Sequence, residues 1–270
     1  MNKAAKKSVL VFIFIAFTSH LCQGSDMVWT NDDMDNDWHN DWNWINGAGT
    51  EPTETDNVWI DNTDAIGGGP VITGDARANI IFLGANGAGS TQLTVAAQGD
   101  VTAFELGLSD HPQAVAVYNQ YGNASFTSVL NIGVMGEAMV NIYGGTLVSP
   151  ISLAKAISSK ARFNIYDGTV DATAGFTMPA DTKCNVVINI EAGNLILSGN
   201  VIEDVEFWAA NGWLTGYGSP LNICVSYDEQ TDRTSVYSVN VYSHGIGADI
   251  NKDGMVNLED LAILMEELIL

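Results

Sequence analysis

Val140-Asn-Ile-Tyr-Gly-Gly145-Thr-Leu147, Phe163-Asn-Ile-Tyr-Asp-Gly168-Thr-Val170 and Ile188-Asn-Ile-Glu-Ala-Gly193-Asn-Leu195 are three versions of one pattern. Looser copies surround Gly99, with Leu93-Thr-Val before it and Asp-Val after, and Gly122, with Val115-Ala-Val before it and Asn-Ala after. Gly99, Gly122, Gly145, Gly168 and Gly193 stand 23, 23, 23 and 25 residues apart. A fixed period of this size means stacked supersecondary units, each burying its apolar face against the next.

Inside each copy the apolar residues alternate, as in Val140/Ile142, Phe163/Ile165 and Ile188/Ile190, with Asn141, Asn164 and Asn189 between them. Period two with β-branched residues marks short strands with one buried face. Glycine just after the strand supplies a φ > 0 corner. A second apolar stretch follows, at Phe104–Leu108, Phe126–Ile132, Ile151–Leu153 and Phe176–Met178. Two or three strands with their corners make one coil of a parallel β-helix, whereas no 3.6-residue periodicity survives these glycines. Stacking puts Asn141, Asn164 and Asn189 in one outward column and Tyr143, Tyr166 and Glu191 in its neighbour. Such columns serve either as ladders that hold coil to coil or as a polar, aromatic surface for glycans, and the ladder is the reading adopted.

These strand, Gly-Gly-Thr, strand coils resemble secreted bacterial β-helix proteins of the autotransporter-passenger and pectin-lyase-like kind, over residues 58 to 200. The resemblance implies an all-β, right-handed parallel β-helix. It speaks to architecture rather than activity.

Residues 1–24 read as a secretory signal: Lys3, Lys6 and Lys7 precede an apolar core from Val9 to Phe17 and a small-residue cleavage site at Cys22-Gln-Gly24. The apolar core is shorter than the roughly 20 residues needed to span a bilayer, so no transmembrane segment is expected. Beyond the signal stand seven basic residues against 32 acidic ones, a formal charge of −25. That sign excludes nucleic acid as a partner. Cys184 and Cys224 remain after cleavage, and a bond between them would contribute about 3–4 kcal/mol in the loop-entropy picture, if their Cβ atoms meet.

Residues 25–57 form an acidic, Trp-rich N-terminal segment. Across 25–64 there are eleven Asp or Glu, no Lys or Arg, and Trp29, Trp38, Trp42, Trp44 and Trp59. An open first coil templates aggregation, so this segment reads as a cap. Its alternatives are a glycan-stacking patch and a calcium site at Asp33, Asp35 and Asp37, which lacks the glycine and closing carboxylate of a calcium loop. Residues 201–247 read as a C-terminal cap: a helix from Ile202 to Ala210 stopped at Asn211-Gly212, then strands Leu221–Tyr227 and Thr234–Tyr242 joined by the turn Asp228–Arg233. Phe207, Trp208 and Trp213 are expected to pack on the last coil, with Trp213–Tyr217 as an alternative binding ledge.

Residues 248–270 carry a different chemistry. Asp249-Ile-Asn251-Lys-Asp253-Gly254-Met255-Val-Asn257-Leu-Glu-Asp260 has oxygen side chains at loop positions 1, 3, 5, 9 and 12 and glycine at 6, the spacing that wraps one hard cation. Asp249, Asn251 and Asp253 ligate through side chains, Met255 through its carbonyl, and Asp260 closes the loop. Asn257 contributes directly or through water. Three carboxylates point to the weak extracellular range, about 10⁻⁴ M. Leu258, Leu261, Ala262, Met265 and Leu268 form the apolar stripe of an EF-hand-like exiting helix. The segment resembles one half of a type I dockerin, a family that binds calcium and plugs into cohesin modules of polysaccharide-degrading or cell-surface assemblies. Dockerins carry two such repeats and this sequence carries one, so docking to a partner and a calcium-stapled terminus both remain open.

Catalysis would need converging charges on one outward face. Arg162, Lys160, Asp167, Asp171 and Lys183 are the candidates, with Arg162 stacked between Met139 and Val187 and no acid in its own column. His39, His111 and His244 have no triad-like or metal-binding spacing. The resulting expectation is a secreted, non-catalytic β-helix protein with calcium as its cofactor and a cohesin-like protein or a polysaccharide as its partner. A polysaccharide lyase or glycoside hydrolase of pectin-lyase-like fold is the alternative, its paired carboxylates converging from distant coils. Asp249→Ala combined with Asp253→Ala is predicted to abolish calcium binding by the mature chain, and an unchanged titration heat in isothermal calorimetry would refute the assignment.

Overall fold

In the computed structural model, residues 24–45, 50–179 and 185–239 are described. The signal segment, Lys183, Cys184, His244 and the loop Asp249–Asp260 lie outside them. The described chain is a parallel β-solenoid of about six turns. Each turn contributes to two sheets. The shorter sheet stacks Val71–Ile72, Gly89–Val95, Ala114–Gln120, Glu137–Ile142, Lys160–Ile165, Asn185–Ile190 and Leu214–Gly216, all parallel. The longer sheet stacks Asp26–Trp29, Asn57–Ile60, Asp75–Leu83, Asp100–Leu108 and Asn123–Ile132, also in parallel.

After Ile132 the single long strand becomes two, Thr146–Val148 with Ile151–Leu153, and then Thr169–Asp171 with Phe176–Thr177. Pro150 marks the first break. It cannot donate to the ladder, although its carbonyl still accepts from Leu130 N at 2.8 Å. The Ile151 N–H reaches across to the Gly175 carbonyl at 2.9 Å, which restores the register beyond the break.

Alternation in sequence becomes columns in space. In the shorter sheet Tyr118, Val140, Phe163, Ile188 and Leu214 lie in register and are fully buried, beside a second column of Ala116, Ala138, Ala161 and Val186. From the longer sheet Val101, Ala124, Leu147, Val170 and Leu195 face them. Bulk in one column is matched by alanine in the next, which keeps the interior of the coil filled. Tyr118 and Gln120 are among the polar side chains buried here. The Tyr118 hydroxyl donates to Gln120 Oε1 at 3.2 Å, and Gln120 Nε2 donates to the Gly122 carbonyl at 3.1 Å, so the pair closes on itself and on the backbone corner.

The repeating glycines stack as well. The longer-sheet register pairs Asp100, Asn123, Thr146, Thr169 and Asn194, each one residue after a glycine of the series. A Cβ on Gly122 would lie 2.2 Å from the Gly99 carbonyl oxygen, and one on Gly145 would lie 1.8 Å from that of Gly122. Gly145 also has φ +67° and Gly168 φ +82°. At Gly145 and Gly168 the corner therefore demands glycine twice over, for backbone conformation and for space, whereas Gly99, Gly122 and Gly193 do not adopt the left-handed conformation expected of every corner and are required by close approach alone.

Both ends are covered. Trp29, Trp38 and Trp44 are buried at the start of the stack, with edge-on contacts at centroid distances of 4.9 Å (Trp29–Trp44) and 4.8 Å (Trp38–Trp44). Trp44 Nε1 donates to the Trp38 carbonyl and Trp29 Nε1 to that of Gly68, so both indole protons are satisfied. The edge there is a two-residue antiparallel strand, Trp44–Ile45, too short to template further pairing. At the far end the hairpin Ile223–Asp228 and Arg233–Ser238 lies antiparallel on Asn194–Ser198 and so ends the parallel run. The helix Ile202–Ala210 takes the place of a further strand, with Val205 buried and Trp208 against Phe176 at 5.5 Å. Phe207 departs from the expected packing. It is 54% exposed and touches Trp213 edge-on, because Val205 and Trp208 already fill the face that meets the coil. No helix among the described residues is long and apolar enough to cross a membrane.

Gly145→Ala is predicted to lower unfolding stability by about 2–4 kcal/mol, the left-handed penalty plus a clash with the coil beneath. Gly199→Ala, at φ +73° with nothing within 4 Å of a Cβ, should lose only about 1–2 kcal/mol. Urea unfolding of the two variants side by side measures the difference, and equal losses would show that the close approach carries no energy.

Candidate functional site

The outward columns of the shorter sheet repeat from coil to coil, and local sequence explains why. Residues 119, 141, 164 and 189 are asparagines flanked on both sides by inward-facing residues, so the pleat turns every amide outward at the same height. Asn141 Nδ2 donates to Asn119 Oδ1 at 2.9 Å and Asn164 Nδ2 to Asn141 Oδ1 at 2.8 Å. At the top of the column Asn189 Oδ1 accepts from Thr215 Oγ1 at 3.0 Å and from Gly218 N at 2.9 Å, while its amide reaches Glu191 at 3.3 Å. The amides therefore bond one another along the coil axis.

Two residues further on, Tyr121, Tyr143 and Tyr166 form a stack. Ring centroids lie 4.7 and 4.9 Å apart with interplanar angles of 12° and 9°. That spacing is the distance between coils, about 4.8 Å. Glu191 follows in the sequence pattern, as expected. A sugar ring packs on an open aromatic face, but the faces of Tyr143 are both occupied by neighbouring tyrosines, leaving ring edges and hydroxyls at the surface. Burial, followed by the neighbouring phenols of Tyr166 and Tyr121, raises the Tyr143 pKa. Burial, followed by the Asp100 charge, raises that of Tyr118.

Asn119 and Tyr121 belong to these columns although the sequence reading began them at Asn141 and Tyr143. Tyr118-Asn-Gln-Tyr121-Gly122 has the right order, but its corner holds one glycine where Tyr143-Gly144-Gly145 holds two. The step from Asn119 to Asn141 is consequently one residue shorter than the step between the glycines.

Among the described residues the charged candidates Lys160, Arg162, Asp167 and Asp171 each have separate surroundings, and Lys183 lies outside the described residues. Lys160 Nζ is 3.0 Å from Glu137, one coil below it. Arg162 lies in register between Met139 and Val187, as the repeat implied. Asp167 accepts from Gly168 N at 2.7 Å, and Asp171 accepts from Thr173 N and Oγ1 at 3.0 and 2.6 Å with Arg233 3.9 Å away. His39 Nδ1 contacts Glu51 at 2.5 Å and His111 Nδ1 accepts from Gln113 N, in separate loops. A cavity of about 260 Å³ lies between the last coil and the helix, lined by Phe176, Leu197, Val201, Asp204 and Trp208, with Asp204 its one ionisable residue.

In the N-terminal cap, Asp33, Asp35 and Asp37 serve local hydrogen bonds. Asn40 Nδ2 donates to both Asp33 (2.9 Å) and Asp35 (2.7 Å), Asn43 Nδ2 donates to Asp35 at 2.6 Å, and Asp37 accepts from His39 N. The Asp37 backbone amide first, then Asn40 and Asn43, hold the Asp35 carboxyl below its usual pKa. Among the described residues no group of three or more His, Cys, Asp or Glu is placed to hold a metal. Asp249, Asn251, Asp253, Met255, Asn257 and Asp260 fall outside the described residues, as does Cys184, the partner considered for Cys224.

The raised tyrosine pKa values fix a pH dependence. As pH rises past the ordinary tyrosine value of about 10, the unfolded chain loses these protons first, so the stability tied to Tyr118 and Tyr143 is complete below pH 10 and is lost above it. Tyr143→Phe should flatten part of this slope in urea unfolding between pH 8 and pH 11. Tyr143→Ala should cost about 1–3 kcal/mol at neutral pH through two lost stacking contacts, and an unchanged midpoint would remove the stack from the account of stability.

No protein-family model matches this chain, no curated protein matches it, and no solved structure matches it. Its function is therefore argued from its own residues.

Proposed function

We propose that this chain is a secreted, non-catalytic β-solenoid component of an extracellular or cell-surface assembly, attached to its partner through a calcium-binding terminus at Asp249–Asp260. The observation that supports a scaffold role is the self-closure of the outward columns: amide bonds to amide and ring packs on ring from coil to coil. Side chains engaged along the axis hold the rod rigid rather than reach for a substrate. The acidic coat keeps such a rod soluble and repels like-charged neighbours.

The attachment role is carried by the loop spacing, with Asp249, Asn251, Asp253, Asn257 and Asp260 supplying side-chain oxygens and Met255 a carbonyl. Its likeness to half a dockerin suggests a cohesin-like partner, with polysaccharide degradation as the setting.

Residues 25–270, used as bait on secreted and envelope fractions in calcium and in chelator, test the reading. A partner retained only in calcium, and lost with Asp249→Ala plus Asp253→Ala, is the expected result. Release of reducing ends or unsaturated products from a polysaccharide panel by the purified chain would overturn the non-catalytic assignment.

A further inference from the structure

The helix Ile202–Ala210 takes the place of a strand at the end of the stack, and the exchange leaves a gap. Strands repeat at about 4.8 Å, whereas a helix with its side chains is about 10–12 Å across, so a helix laid on the last coil does not meet it everywhere. The gap is the cavity of about 260 Å³ between them. The coil contributes Phe176 and Leu197 to its lining, and the helix with the residue before it contributes Val201, Asp204 and Trp208. That volume lies just under the roughly 300–1,000 Å³ of small-ligand pockets, so an occupant must be small.

Two features give the cavity a chemical preference. Phe176 and Trp208 line it with ring centroids 5.5 Å apart and planes tilted by 40°, so neither ring fully covers the face of the other. Asp204 precedes Trp208 by four residues, about one helical turn, which sets the carboxylate beside the indole at the same cavity. Val201, Val205 and Trp208 follow the apolar spacing of a helix packed on a coil, and Asp204 interrupts it. Asp204 is exposed, and among the described residues no Lys, Arg or His pairs with it. A cation is drawn to both features at once: the carboxylate attracts its charge, and an aromatic face, indole most strongly, attracts it through the ring quadrupole. An anion would be repelled by Asp204 and its neighbour Glu203, and a neutral apolar molecule would gain nothing from either.

We infer that this cavity is a binding site for a small organic ammonium, whose apolar body lies among Phe176, Leu197 and Trp208 and whose charged nitrogen faces Asp204. The site belongs to the solenoid and its helical cap, and it stands apart from any calcium-dependent partner of the terminal loop.

Phenethylammonium, phenethyl alcohol and phenylacetate share one apolar body and differ in charge, and calorimetric titration of the purified chain with each tests the inference. The ammonium should bind saturably and about tenfold more tightly than the alcohol, with the phenylacetate weaker than either. Asp204→Asn should bring the ammonium to the affinity of the alcohol, and because the residue is exposed the exchange leaves the packing of helix on coil in place. Trp208→Phe keeps a ring at the cavity and removes one of the seven tryptophans, so it should retain most of the heat of binding and lose the accompanying change in tryptophan fluorescence. Equal affinity for ammonium and alcohol overturns the inference, as does the absence of saturable heat. Binding undiminished by Asp204→Asn, or a fluorescence change that survives Trp208→Phe, also overturns it, by placing the cation elsewhere on the acidic coat. Tighter binding of glucose than of the ammonium would make the cavity a sugar site instead.

Discussion

Everything in this molecule depends on one distance, the 4.8 Å or so between successive coils. Parallel strands hydrogen-bond only at that spacing, so each corner must also repeat at it, and a corner is where the backbone of one coil comes nearest the next. Gly122 and Gly145 sit where a methyl group would overlap the carbonyl oxygen of the preceding glycine. The interior can exchange Val140 for Phe163 or Ile188 because neighbouring columns adjust in volume. The corner cannot adjust in this way, since what it meets is backbone.

The same distance governs the surface. Flat side chains repeated at 4.8 Å fall into van der Waals contact, and so tyrosines at 121, 143 and 166 stack while asparagines at 119, 141 and 164 bond in series. These ladders connect coils independently of the backbone and are in competition with ligand binding for the same atoms. A column that stabilises the rod is a poor recognition surface, and that competition is what supports the scaffold role proposed above. Lys160 and Glu137 likewise pair between successive coils.

A stack of coils has two ends, and each must be ended by something that is not another coil. The first is ended by three interlocked tryptophans and a carboxylate–amide network centred on Asp35, the second by a helix and a reversed hairpin. Reversal matters: once Arg233–Ser238 runs antiparallel, the next parallel strand has no register to join. The second end nonetheless keeps Leu221 and Phe207 in water, whereas the first buries its large rings apart from Trp42.

From the sequence alone, the period of the glycines and the alternation around Val140, Phe163 and Ile188 determined the solenoid, its strand positions and the column in which Arg162 lies. Those features are local and repeat, so a single coil read correctly is every coil. The helix Ile202–Ala210 and the turn Asp228–Arg233 were legible for the same reason, through Asn211-Gly212 and a run of polar residues. The tertiary structure decided what depends on contact between distant residues: that Asn119 and Tyr121 extend the ladders despite a shorter corner, that Pro150 splits a long strand whose register Gly175 then restores, and that Phe207 stays in water because Trp208 and Val205 already occupy the coil. The calcium loop expected at Asp249–Asp260 is legible as spacing alone, because spacing fixes which oxygens could reach one ion and every contact that would hold them there lies outside the described residues.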